Sequence, residues 1–170
     1  PKSNMKLADG IAPVTELKAR GVPVAVATDG AASNDLLDMW EEMRAAIMLA
    51  RVAKNDASAL SPQDALQMAT LEAARTACID AGEIAPGKLA DIIILDLQKS
   101  HLQPFHQEDP INMIVFCARS EDVRDTIIHG RVVMRNRHVT TIDEAEIIRE
   151  SIEADRELFE SRKEYQFSNQ

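Results

Sequence analysis

The stretch VPVAVATDGAASND, Val22 to Asp35, limits what this chain can become more than any other. Val22 to Ala27 is a nearly unbroken apolar run, which suits a strand that is greasy on both faces. Such strands belong to parallel sheets covered by helices, whereas a sheet open to water on one side would alternate apolar and polar residues. Thr28, Asp29 and Gly30 then put an acid and a flexible residue where the strand stops. Taken alone, Asp29 reads as a turn-former or helix cap. It also sits past the C-terminal end of a strand, where barrels of alternating strands and helices carry their chemistry.

The flanking text supports alternating helix and strand. Pro13 suits the first turn of a short helix and Gly21 its stop. Beyond the acid, Leu36, Trp40, Met43, Ile47 and Ala50 recur at steps of four and three, which draws the apolar stripe of a long helix beginning near Leu36. Ser33 or Asn34 can cap it, with Asp35 and Asp38 placed favourably against its dipole. Met39, Met43, Met48 and Trp40 read as packing residues on this helix. SPQDALQMATLEAARTACIDAG predicts another helix, with Ser61 as N-cap, Pro62 first, Asp64 as the reciprocal acid and Gly82 at the end.

Around Ala81 to Glu83 the text changes character, which predicts a domain boundary. A Pro86–Gly87 turn leads to a strand at Ile92–Leu95, and DTIIHGRVVMRNRHV reads as a hairpin turning at His129 and Gly130. Between them, HLQPFHQEDPINMIVFCA is a loop leading into a strand or short helix. The tail predicts a helix capped by Asp143 and Glu146, with Ile142 stapled onto Ile147. Its acidic run from Asp143 to Glu164 reads as a solvated face.

Charge narrows the partners. A net charge of −9 without any Lys/Arg cluster argues against nucleic acid, and no apolar run reaches membrane-spanning length. Cys78 and Cys117 read as free buried thiols, in keeping with a cytoplasmic protein. His101 and His106 flank Pro104, His129 lies in the hairpin turn, and His138 follows Arg135 and Arg137. All four histidines read as solvated surface residues that build no metal site.

PKSNMKLADGIAPV, VAVATDGAASNDLLDMWEEMRAA, GEIAPGKLADIIILDL and HLQPFHQEDPINMIVFCARSEDVRDTIIHGRVV together resemble the C-terminal part of an amidohydrolase-superfamily enzyme. The nearest branch is the methylthioadenosine/S-adenosylhomocysteine deaminase group, related to the chlorotriazine hydrolases. The resemblance implies an α/β fold, the C-terminal portion of a (β/α)8 metal-dependent hydrolase barrel plus part of a small β-sandwich. Residues 1–82 would end the barrel, with Val22–Ala27 as strand eight and Ser3, Asn4, Lys6 and Leu7 in the loop after strand seven. Residues 83–141 would form the C-terminal share of the sandwich, and 142–170 a helix and tail.

Asp29 then matches the family's aspartate at the end of strand eight, which contacts a divalent metal, zinc or iron, and handles protons. The implied reaction is hydrolytic deamination of an amino-purine such as methylthioadenosine or S-adenosylhomocysteine. The family's other metal ligands lie upstream of anything in this chain, and a catalytic zinc site needs about three protein ligands. One aspartate cannot build it, so the isolated chain is expected to be inactive. The opening at Pro1, without Met, reads like the middle of a longer protein, and a missing N-terminal part is the expected partner. A homo-oligomer is also expected. Two alternatives stand beside this reading. One is the same chemistry on a guanine, cytosine or triazine ring; the other is a non-catalytic oligomerising remnant in which Asp29 only turns the chain.

Overall fold

The computed structural model describes residues 1–167, with side chains through Arg162. Residues 168–170 of the expected tail, and the Glu164 side chain at the end of the acidic run, lie outside the described residues. Helices lead: α1 (Lys2–Leu7), α2 (Val14–Ala19), α3 (Met39–Lys54), α4 (Pro62–Ala69) and α5 (Leu71–Thr76). Then come β1 (Ile92–Leu95), α6 (Pro110–Cys117), β2 (Val123–Ile128), β3 (Arg131–Arg135), β4 (His138–Val139) and α7 (Glu144–Phe167). The strands form one antiparallel sheet in the order β1-β2-β3-β4.

The core lies between α3, α4 and α6. Ile47, Ala50, Leu60, Met68 and Val115 are buried there, and Leu95 and Met134 pack onto it from the sheet. Trp40 is core, as its spacing predicts, and its Nε1–H also donates to the Ile114 carbonyl at 3.0 Å. That carbonyl, in the last turn of α6, also accepts the Ala118 N–H at 3.3 Å, so the indole adds a second bond to it. Arg44 reaches the same end, donating to the Ala118 carbonyl at 2.8 Å. The loop of uncertain type before Ala118 is thus settled as a helix, tied down from α3.

Local punctuation holds well. Ser61 Oγ accepts from the Asp64 N–H at 3.1 Å, and the Asp64 carboxylate accepts the Ser61 N–H in return. Ser61→Ala removes the acceptor for that donor and is expected to lower stability by about 1 kcal/mol, read as a shift in the urea midpoint. The hairpin turns at His129 (φ 49°) and Gly130 (φ 75°), two left-handed residues as a type I′ turn requires. Asp143 caps α7, its carboxylate accepting the Ala145 and Glu146 N–H groups.

Other expectations need correction. The long helix starts at Met39 rather than Leu36, because Asp38 and not Ser33 or Asn34 accepts the first free amides, Trp40 N at 2.8 Å and Glu41 N at 3.3 Å. The helix expected from Ser61 to Gly82 breaks at Thr70 (φ −128°, ψ −90°) and ends at Thr76. Gly82 (φ 87°) packs back against that break, within 2.7 Å of Leu71 Cα for any added Cβ. Cys78 is exposed and Cys117 half-buried, so neither is the buried thiol expected. His101 is not merely solvated: its Nε2 lies 2.8 Å from Oδ2 of the buried Asp122.

Val22–Ala27 is extended but joins no sheet among the described residues. A strand exists through ladder bonds to a neighbour, and here the segment is held from one side only. The Val26 N–H donates to the Met68 carbonyl at 3.1 Å and the Val24 N–H to the Glu72 carboxylate at 3.3 Å. Val24 and Val26 pack inward while Ala25, Ala27 and Asp29 are exposed on the opposite side. Leu36, Met48 and Val52 also stand open, at 63%, 55% and 77% exposure. Among the described residues, no helix is long and apolar enough to cross a membrane.

Candidate active site

The Val22–Ala27 segment lines a cleft of about 230 Å³. Val24 to Ala27 and Asp29 line it from this segment, Asn4, Ile11 and Ala12 from the N-terminal stretch, and Ala46, Leu49, Ala50 and Met68 from α3 and α4. The cleft is therefore apolar along most of its length and ends in one acid. That acid is the candidate residue of the sequence. Among the described residues no donor bonds the Asp29 carboxylate, which leaves both oxygens available to something in the cleft.

Asp29 holds a left-handed backbone conformation, φ 61°. Such a value is uncommon outside glycine, but Asp and Asn adopt it several-fold more often than other residues. The turn that follows is closed by its own backbone, since the Ser33 and Asn34 N–H groups both donate to the Gly30 carbonyl, at 3.1 and 3.0 Å. Gly30, Ala31 and Ala32 keep this turn small and exposed.

Behind the turn lies a buried polar connection. Asn34 Nδ2 donates to the Thr28 carbonyl at 2.8 Å and to Glu42 Oε1 at 2.6 Å. Asn34 is 2% exposed and Glu42 is fully buried. Glu42 Oε2 also accepts the Lys2 N–H at 3.0 Å and lies 2.8 Å from the Pro1 nitrogen. Were Pro1 joined to a preceding residue, its nitrogen would carry no hydrogen, and the Lys2 amide would remain as the donor. A buried carboxylate is tolerated only when its oxygens are bonded, so this arrangement ties α1, the Asp29 turn and α3 together.

Helix α1 adds ties at the surface. The Ser3 and Ser33 hydroxyls lie 3.4 Å apart, Lys2 pairs with Glu41, and Lys6 Nζ reaches both oxygens of Asp35 at 2.9 and 3.0 Å. The bond from Lys6 holds the Asp35 carboxyl below its ordinary value. That pairing supports the turn above the usual aspartate range and is lost as pH falls through the lowered value. The segment Ser3 to Leu7, expected as a loop beside Asp29, is a helix that lies beside it.

The sequence marked Asp29 but not its support. Asn34 was legible only as a possible helix cap. Glu42 carried one signal: it lies four residues before Ala46 and eight before Ala50, in line with residues that are buried. A carboxylate on the core-facing line of a helix needs a partner from elsewhere in the fold.

Comparisons with known proteins bear on this geometry. A model described as the amidohydrolase family matches residues 1–133. The chain is 49% identical over 152 residues to the 5-methylthioadenosine/S-adenosylhomocysteine deaminase of Pelotomaculum thermopropionicum, covering 89% of this chain and 35% of that protein. It is 47% identical over 144 residues to the 5'-deoxyadenosine deaminase of Methanothermobacter thermautotrophicus, covering 85% and 33%. Its fold is similar to the crystal structure of an adenosine deaminase from Xanthomonas campestris with bound zinc, with a TM-score of 0.87, 36% identity, and coverage of 92% of this chain and 36% of that one. The chain thus spans 33% to 36% of the length of these proteins. With most of its residues matched by the family model and its fold shared with a zinc-bound enzyme, this chain belongs to the amidohydrolase family.

Proposed function

We propose that the chain is the C-terminal part of a metal-dependent hydrolytic deaminase acting on an amino-purine such as methylthioadenosine or S-adenosylhomocysteine. The observation that carries this reading is the Asp29 carboxylate. It stands unbonded at the end of an extended apolar segment and faces a cleft, in a chain closely similar to proteins named for that activity. In this reading residues 1–82 end a (β/α)8 barrel with Val22–Ala27 as its eighth strand. Residues 83–141 supply a share of a β-sandwich. The upstream part of the same polypeptide is the partner, and it covers the open side of Val22–Ala27.

Asp29 fits one place in the shell of a divalent metal, zinc or iron, because its oxygens are exposed, hard and free of hydrogen bonds from this chain. Among the described residues no group of three His, Cys, Asp or Glu side chains could hold a metal, so the other ligands come from upstream. When bound, the metal makes water available as a nucleophile near neutral pH. The work of this chain is then to move protons. Water adds to the amino-bearing ring carbon, the carbon–nitrogen bond breaks, and ammonia leaves. Asp29 accepts the proton from the water and delivers it to the departing nitrogen, a task that suits a reversible carboxylate base. The apolar wall of Ala25 and Ala27 keeps other water from competing.

Ammonia release from the complete polypeptide, this chain joined to its upstream part and loaded with zinc or iron, tests the reading. Methylthioadenosine and S-adenosylhomocysteine are expected to be deaminated, and the 170-residue chain alone to be inactive. Release from guanine, cytosine or a triazine instead would replace the substrate class. No release from any of them would overturn the activity.

A further inference from the structure

We propose that Asn34 and Glu42 are positioning residues for Asp29, a proposal that rests on the role just given to that carboxylate. The Thr28 carbonyl belongs to the peptide that joins Thr28 to Asp29, and Asn34 Nδ2 grips it at 2.8 Å. The second hydrogen of the same amide goes to Glu42 Oε1 at 2.6 Å, which fixes the amide against rotation. Glu42 is in turn fixed, since it lies on α3 inside the core with its other oxygen on the Lys2 N–H. Two bonds therefore run from Glu42 in the helical core to the backbone at the turn, and a third ties Glu42 to α1.

The turn needs such support. Asp29 sits at φ 61°, a conformation with a higher intrinsic energy than the extended backbone before it. Among the described residues nothing bonds its side chain, so only the backbone on either side can set where the carboxylate points. On the C-terminal side the Gly30 carbonyl takes two amides of the turn. On the N-terminal side the Asn34 amide is the hydrogen-bonding contact, and it is 2% exposed, out of reach of competing water. Neither Asn34 nor Glu42 lines the cleft, although Glu42 lies 2.8 Å from the nitrogen of Pro1, which does. Asn34 reaches the chemistry through the backbone of the Asp29 turn.

Asn34→Ala in the metal-loaded complete polypeptide is expected to lower kcat by about 10- to 100-fold, as loss of supporting partners does at metal sites, with KM little changed. The Ser33 amide, protected by the Gly30 carbonyl, is expected to exchange its hydrogen faster in the same variant. Ser61→Ala, which weakens the fold away from the cleft, serves as comparison and is expected to change neither quantity. Should Asn34→Ala fail to fold, Glu42→Gln carries the same test, because it replaces one of the two accepting oxygens with a donor set against the Asn34 or the Lys2 N–H and loosens the anchor, with a fall of about 10-fold. Unchanged exchange at Ser33 in a folded variant overturns the positioning role even if Asp29 proves essential. Equal losses of kcat in Asn34→Ala and Ser61→Ala overturn it as well, since that pattern marks general destabilisation. If Asp29→Asn keeps wild-type turnover, the reading of Asp29 fails separately, and Ser33 exchange alone then decides whether the turn is held from Glu42.

Discussion

Asp29→Asn in the metal-loaded complete polypeptide is expected to lower kcat by about 10²- to 10⁴-fold, the range lost when a positioned acid–base group is removed. Asparagine is the informative substitution. It keeps the size of the side chain and tolerates the left-handed backbone at φ 61° nearly as well as aspartate. Asp29→Ala would also lose that tolerance, adding about 1–2 kcal/mol of backbone cost to any chemical effect. Because the carboxylate is exposed and makes no bond to its own chain, Asp29→Asn should leave the denaturation midpoint of the metal-free polypeptide unchanged. A variant with the midpoint and the turnover both intact would show that the acid only turns the chain.

Gly82→Ala is expected to be the most damaging single-methyl change in the described residues. An added Cβ would lie 2.7 Å from Leu71 Cα and 2.7 Å from the Thr70 carbonyl oxygen, both backbone atoms that cannot swing aside. Gly87 has the same φ of 87° with nothing within 4 Å, so Gly87→Ala isolates the backbone cost. We expect about 1 kcal/mol at Gly87 and about 3 kcal/mol at Gly82, compared by urea midpoints. Equal shifts at the two glycines would show that the contact with Thr70 and Leu71 relaxes freely. The effect reaches the cleft, because the Met68 carbonyl that holds the Val26 N–H lies two residues before the Thr70 break.

Elements set by neighbours in sequence were legible in advance. Ser61, Pro62 and Asp64 announce a helix start because the capping bonds span three residues. His129 and Gly130 announce a tight turn because only a left-handed pair matches the twist of the flanking strands. Asp29 stood out for the same local reason, as an acid closing an apolar run.

What could not be read locally depends on partners far along the chain. Asp38 and Asn34 are both good capping residues, and only the path of the turn sends one to the helix and the other to Glu42. His101 looks like any loop histidine until Asp122, twenty-one residues later, folds against it.

By itself, the sequence determined where α4 and α7 begin, where the hairpin turns, and that an acid follows the apolar run, since each rests on bonds between residues a few positions apart. Only the tertiary structure decided that Val22–Ala27 would be gripped on one side alone. It also decided that the acid would face a cleft, and that a buried glutamate from α3 would stand behind it. The physical reason is that burial and long-range hydrogen bonds exist only once distant segments share the same water-free space.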